Sequence, residues 1–207
     1  MLPQKQWYDS STADPEQVKR LCREWNLNQF VAEILLRRGY KTHEEIKSFL
    51  IPELKNLLDP YELRQMREAV NLLQKMIAEN RRIVILGDYD VDGITATALM
   101  LDFLNKCGKL DLDFFIPNRI KHGYGLTEAS TDILLEMRPE LVITVDNGIT
   151  AAREVKRLND AGIKTIITDH HLADASLLPS GIVVNPNHPE CNYPFKKISG
   201  CGVALKL

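Results

Sequence analysis

Three short apolar runs, rich in β-branched residues and separated by stretches with helical spacing, most restrict the fold of this chain. The runs span residues 83–86, 141–145 and 164–168. Fully buried strands of parallel sheets have this continuous apolar pattern, because helices cover both faces of the sheet. The sequence predicts an α/β fold with a doubly wound, mostly parallel five-stranded sheet. The other strands and the connecting helices are expected near Leu112, Ile182, Thr95, Glu128 and Ala152.

The amino-terminal part of the chain is expected to be helical. Thr42 is positioned as an N-cap, with Glu45 three residues later as in a capping box. We predict a helical amino-terminal extension over residues 1–60 and an α/β domain over residues 61–207. Helices are expected over residues 15–25, 29–38, 43–50 and 63–79.

Three acidic residues follow the first apolar run at alternate positions: Asp88, Asp90 and Asp92. A helix is predicted directly after them, over residues 94–104. If the chain stays extended there, side chains two residues apart lie on one face. Carboxylates that close together need a cation, and Mg²⁺ and Mn²⁺ are the usual partners of such clusters. Any one of these residues, taken alone, is as consistent with helix capping or solvation as with metal binding.

The other two runs also end in polar residues. Asp146 follows the second run, and Asp169, His170 and His171 follow the third. A His-His pair alone is more often part of a surface turn than of a ligand set. In open α/β sheets, however, the functional crevice lies beyond the carboxyl ends of the strands, so these clusters should converge. The sequence predicts a metal site at this edge of the sheet.

These motifs resemble those of the DHH phosphoesterase superfamily. Residues 87–93 match its first motif, and residues 117–119 with 123–126 resemble its second. Residues 145–148 resemble the third motif, and residues 169–171 form the Asp-His-His triplet of the fourth.

Within this superfamily, two further segments resemble the bacterial RecJ single-stranded-DNA exonucleases. They are the helical lead-in, within residues 36–60, and the stretch after the triplet, within residues 185–204. The resemblance implies a metal-dependent 5′-to-3′ exonuclease that hydrolyses single-stranded DNA to 5′-mononucleotides in DNA repair and recombination. RecJ chains continue with another metal-binding Asp and a DHH-associated domain. We therefore expect this chain to be an amino-terminal part that ends before both.

The ligand types and the resemblance together assign roles to individual residues. The expected metal ligands are Asp90, Asp92, Asp146 and His170. The expected catalytic residues are Asp88 (a direct or indirect participant), Asp169 (orienting a neighbouring ligand) and His171. The expected substrate-binding residues are Arg119, Tyr124, Gly125 and His171.

The expected cofactor is Mn²⁺ or Mg²⁺, with two ions in the complete protein. Two ions roughly 4 Å apart would deprotonate a bridging water and stabilise the departing oxygen of a phosphodiester. Imidazole among carboxylates favours Mn²⁺ as an activator.

Composition gives weaker indications. With 207 residues, 44% of them hydrophobic, the chain can bury a substantial core, and its cysteines (four, scattered) are expected to be free thiols. The absence of a membrane-length apolar run and of a secretory signal in residues 1–14 predicts a cytoplasmic protein without a membrane partner.

The net charge of −2 is atypical of a nucleic-acid-binding protein. Bound divalent ions would offset the acidic cluster, and Arg119 and Lys121 supply local positive charge. Single-stranded DNA is the expected partner, and a single-strand-binding protein and a helicase are further candidates. Two alternatives stay open: a DHH hydrolase of short oligonucleotides, cyclic dinucleotides or pyrophosphate, and a non-catalytic scaffold with this fold.

Overall fold

A helical unit precedes a sheet-based unit in the structure, a computed structural model that describes residues 13–207. The first unit ends at Leu58 and the second begins at Asp59. The first 12 residues of the predicted extension lie outside the described residues.

The amino-terminal unit buries one apolar cluster between its helices. Leu21, Leu35 and Ile46 each come from a different helix and are at most 2% exposed. Thr42 begins the third helix with the predicted capping box: its hydroxyl accepts the Glu45 N–H at 3.2 Å, and the Glu45 carboxylate accepts the Thr42 N–H at 2.9 Å. The elements are α1 (Pro15–Trp25), α2 (Gln29–Arg37), α3 (His43–Leu50) and a 3₁₀ turn (Leu54–Asn56).

The second unit is a five-stranded sheet in which every neighbouring pair is parallel, in the order β2-β1-β3-β4-β5. This confirms the predicted fold class. The strands are β1 (Ile83–Leu86), β2 (Leu112–Phe115), β3 (Leu141–Val145), β4 (Lys164–Thr168) and β5 (Ile182–Val184). A 3₁₀ turn (Pro60–Glu62) precedes the helices α4 (Met66–Ala78), α5 (Val91–Lys106), α6 (Glu128–Met137), α7 (Ala152–Asp160) and α8 (Gly200–Lys206).

The sheet is covered by helices on both faces. Val84 and Val142 pack with Leu134 of α6 and Val155 of α7 in one buried cluster. Alternate strand residues face the other way, and there α5 contacts β1, β2 and β3 while α8 contacts β3 and β4. The strand order reverses between β1 and β3, which is where open α/β sheets form their crevice.

Helix α5 begins at Val91, three residues before the predicted Ile94, because the Asp90 carboxylate caps it. One Asp90 oxygen accepts the N–H groups of Asp92 and Gly93 at 2.9 and 3.0 Å. The extended conformation assumed from the sequence therefore stops at Asp90, and Asp92 lies in the first turn of a helix.

None of the helices within residues 13–207 has the length and hydrophobicity needed to cross a membrane. All four cysteines are free thiols.

Candidate metal centre

Carboxylates and imidazoles from three strand ends meet at one edge of the sheet. Asp88 follows β1, Asp146 directly follows β3, and Asp169 directly follows β4. Because the strands are parallel and adjacent, their carboxyl ends lie side by side. The fold thus brings together the acidic residues that the sequence placed at separate strand ends.

Asp88 and Asp146 are each only 1% exposed. Within the described part of the chain, both Asp88 carboxylate oxygens and Asp146 Oδ1 lack a hydrogen-bond partner. Burial raises the pKa of Asp88 and raises that of Asp146 to about 7, with further increases from nearby carboxylates. Buried anionic oxygens without hydrogen-bond donors are costly unless a cation binds them. These carboxylate oxygens are therefore suitable ligands for a divalent metal ion.

Two groups of side chains can hold a metal ion. One is Asp88, Asp90 and Asp146, and the other is Asp146, His170 and His171. Within each group, one ligand atom per residue lies within 4.8 Å of the others. Asp146 belongs to both groups, and its Oδ1 lies 3.1 Å from His170 Nε2. Carboxylates suit both Mg²⁺ and Mn²⁺, and an imidazole among them favours Mn²⁺ over Mg²⁺.

Asp92 lies beside these groups but is occupied by backbone donors. Its two carboxylate oxygens accept the N–H groups of Gly200 and Cys201, each at 2.8 Å. Asp92 Oδ2 also lies 3.7 Å from His170 Nε2. Asp92 is therefore adjacent to the cluster, although it joins neither of the ligand groups found among residues 13–207.

Asp169 is buried and its carboxylate is fully engaged by donors. Its Oδ2 accepts the Ile149 N–H at 2.9 Å, and its Oδ1 accepts the backbone N–H groups of His170 and His171 at 2.7 and 3.1 Å. Asp169 Oδ1 also lies 2.7 Å from His171 Nδ1, and this hydrogen bond raises the pKa of His171. The arrangement orients the His171 ring, in the way that a carboxylate orients a ligating imidazole.

The loop between β2 and α6 reaches the centre through Tyr124. Its hydroxyl donates to the Asp146 carbonyl oxygen at 3.2 Å and lies 3.2 Å from His171 Nε2. The Tyr124 ring makes an edge contact with the Tyr89 ring at 6.2 Å between centroids. Arg119, which is exposed, has its guanidinium carbon 5.5 Å from the Tyr89 ring centre. A series of side-chain contacts thus leads from His171 through Tyr124 and Tyr89 to the exposed Arg119.

Asn147 ties two strand ends together. Its side-chain amide donates to the carbonyl oxygens of Leu86, Gly87 and Val145 at 3.3, 3.2 and 2.9 Å. Gly125 packs directly on it, with φ of +64° and with its missing Cβ position 2.8 Å from Asn147 Cβ. The contact requires glycine at 125, a packing role beside the substrate role predicted from the sequence.

Two asparagines that sequence reasoning did not assign hold the backbone of the histidine pair. Asn187 donates its side-chain amide to the His170 carbonyl oxygen at 2.6 Å, and Asn185 donates to that of His171 at 3.1 Å. They lie 17 and 14 residues along the chain from their partners. Only the return of the chain past β5 reveals this role, since asparagine is also common in ordinary turns.

The comparison with family models decides the relationship. Residues 82–207 match the model of the DHH family, N-terminal domain. The chain belongs to the DHH family. This DHH chain is 39% identical over 207 residues to the single-stranded-DNA-specific exonuclease RecJ of Bacillus subtilis (strain 168), covering 100% of this chain and 26% of the relative.

Solved structures of RecJ proteins also resemble this DHH chain. RecJ of Thermus thermophilus in complex with Mn²⁺ matches with a TM-score of 0.68 and 31% identity, over 95% of this chain and 27% of that one. An exonuclease RecJ bound to manganese matches with a TM-score of 0.65 and 37% identity, over 72% of this chain and 38% of that one. The chain therefore spans about a quarter to two fifths of these relatives.

Proposed function

We propose that this chain carries the metal centre of an exonuclease that hydrolyses single-stranded DNA. The observation that carries the proposal is the pair of buried carboxylates of Asp88 and Asp146. Both oxygens of Asp88 and Oδ1 of Asp146 lack a hydrogen-bond partner among residues 13–207. The similar RecJ proteins support it, because they are named single-stranded-DNA-specific exonucleases and two solved ones hold manganese.

We assign one or two Mn²⁺ or Mg²⁺ ions to Asp90, Asp92, Asp146 and His170, with Asp88 as a direct or supporting participant. When bound, a divalent ion would polarise the phosphoryl group and lower the pKa of a bound water. Hydrolysis forms a bond between the water oxygen and phosphorus and breaks the bond from phosphorus to the 3′ oxygen, which takes a proton.

The surrounding residues bind and orient the substrate. Asp169 fixes the ring of His171, which would donate to a phosphate oxygen. Tyr124, whose hydroxyl lies 3.2 Å from His171 Nε2, would line the approach of the substrate. Arg119 offers a planar guanidinium that binds phosphate in a bidentate manner. Gly125 would allow the backbone of the loop between β2 and α6 to approach the DNA strand closely.

The finer parts of the proposal come from the likeness to RecJ. They are digestion from the 5′ end, release of 5′-mononucleotides, and a role in DNA repair and recombination in the cytoplasm. A single-strand-binding protein and a helicase are the proposed partners.

The test is digestion of single-stranded DNA labelled at either end, with Mn²⁺ and with EDTA. It uses this chain and a longer protein that includes the region found in the full-length relatives. Asp146→Ala should abolish mononucleotide release, whereas Asp102→Ala, an exposed carboxylate on α5, should retain it. Retained activity in Asp146→Ala would contradict the assignment, and preferential cleavage of a dinucleotide would indicate a small-substrate hydrolase.

A further inference from the structure

We infer that Gly200, at the start of α8, is a positioning residue that sets the place of the Asp146 carboxylate. The inference rests on the proposed metal centre for its functional consequence.

Backbone N–H groups in the first turn of α8 bind Asp92, beside the proposed metal centre. The N–H groups of Gly200 and Cys201 donate to separate oxygens of Asp92, each at 2.8 Å, and so fix both oxygens. Ser199 caps the helix by accepting the Gly202 N–H at 3.0 Å. The turn therefore has a defined position relative to α5, which carries Asp92.

The missing side chain of Gly200 leaves the space that Asp146 fills. A Cβ at Gly200 would lie 2.5 Å from Asp146 Cγ and 2.6 Å from Asp146 Cβ, and closer still to Oδ1. Real Cβ contacts essentially never fall below 3.0 Å, so one partner must move.

Helix α8 has little freedom to retreat. Val203 and Ala204 are 0% and 3% exposed, and the helix contacts α5, β3 and β4. Asp146 is equally confined, because it is 1% exposed and its Oδ1 lies 3.1 Å from His170 Nε2. An alanine at 200 would therefore displace the carboxylate that both ligand groups share.

The expected effect of Gly200→Ala on stability is opposite to the one that helix propensity predicts. Gly200 lies in the first turn of a helix and its φ is not in the left-handed region. At a helical position of this kind, alanine ordinarily stabilises a protein relative to glycine. The contact with Asp146 reverses that expectation.

The experiment is a double-mutant cycle on the 207-residue chain in EDTA. Gly200→Ala is measured in the wild-type and Asp146→Gly backgrounds, and Asp146 has φ of 65°, which glycine tolerates. Gly202→Ala is the matched control, since its Cβ would crowd Ile198 rather than Asp146. Gly200→Ala should lower the denaturant midpoint in the wild type and lower it much less in Asp146→Gly, whereas Gly202→Ala should act equally in both.

A second readout is the Mn²⁺ dissociation constant of the folded variants. Gly200→Ala should bind Mn²⁺ about 10- to 100-fold more weakly, as when a residue that orients a ligand is lost. Gly202→Ala should keep the wild-type affinity. Unchanged affinity in Gly200→Ala would overturn the positioning role.

Equal losses from Gly200→Ala in the two backgrounds would also overturn the inference. If Gly200→Ala alone fails to fold, recovery of folding with Asp146→Gly supports it, and failure of both refutes it. Absence of Mn²⁺ binding by the wild type would contradict the proposed function, while the cycle in EDTA still decides whether Gly200 packs on Asp146.

Discussion

At the scale of single residues, burial and mutual repulsion determine the pKa values of the carboxylates in the candidate metal centre. Asp146 is buried near the carboxylates of Asp92 and Asp90, and all of these effects raise its pKa. The sequence predicted which carboxylates converge, because each one follows a strand. It did not predict that Asp88 and Asp146 are fully buried, since burial depends on helices and loops that are distant along the chain.

Asp88→Asn should stabilise the chain in EDTA at about pH 8. The substitution removes a buried charge that lies near the carboxylates of Asp90 and Asp169, and the expected gain is on the order of 1 kcal/mol. Chemical denaturation measures it, with the exposed Asp102→Asn as the control. Added Mn²⁺ should stabilise the wild type more than Asp88→Asn. A loss of stability in EDTA would contradict this explanation.

The metal-free chain should lose stability as the pH rises through the titration of Asp146. Its folded pKa of about 7 lies above the ordinary value of 3.8, so its contribution is fully present below about 3.8 and lost by about 7. Raised pKa values of Asp88 and His171 act in the same direction. The measurement is the free energy of unfolding in EDTA against pH. Asp146→Asn should reduce the slope between these values, and an unchanged slope would contradict the assignment.

At the scale of elements, the sequence predicted the three buried strands with the bounds that the structure has, over residues 83–86, 141–145 and 164–168. Short, continuous runs of β-branched residues are typical of buried strands in an α/β chain. The start of α5 was predicted three residues late, although Asp90 is a typical N-cap residue, because the three acids were interpreted as one extended segment. The packing of α8 against Asp92 was not predicted, since the bond between Asp92 and Gly200 joins residues 108 apart.

Asn147→Ala should loosen the carboxyl ends of β1 and β3. The side-chain amide donates to three backbone carbonyl groups there, and its loss should lower the free energy of unfolding by about 1–3 kcal/mol. Asn159→Ala, which removes an exposed amide bonded to the Ser180 carbonyl oxygen, should cost less than about 0.5 kcal/mol. Chemical denaturation of both variants checks this, and equal losses would contradict the role of Asn147.

At the scale of the whole molecule, fold class and family follow from the sequence because strand ends, helices and motifs all indicate one architecture. The proposed direction of digestion comes only from the likeness to RecJ, since no residue type encodes which end of a DNA strand such a centre would accept. The net charge of −2 also hides the local arrangement, in which acids cluster at the centre while Arg119 lies in the surface loop.

Mn²⁺ should stabilise the whole chain, because the folded state alone assembles the ligands. At a free concentration about 100 times the dissociation constant, the gain should be about 2.7 kcal/mol. A thermal unfolding series with increasing Mn²⁺ measures it, with Ca²⁺ as the comparison. A midpoint that does not respond to Mn²⁺ would contradict the proposed metal centre.

The most direct test of the central claim is a Mn²⁺ titration of the wild-type chain and Asp146→Ala, followed by electron paramagnetic resonance of the free ion. Asp146 belongs to both candidate ligand groups, so its loss should weaken binding at least about 100-fold. We predict saturable binding by the wild type and little by the variant. Equal binding by the two proteins, or none by the wild type, would contradict the proposed metal centre.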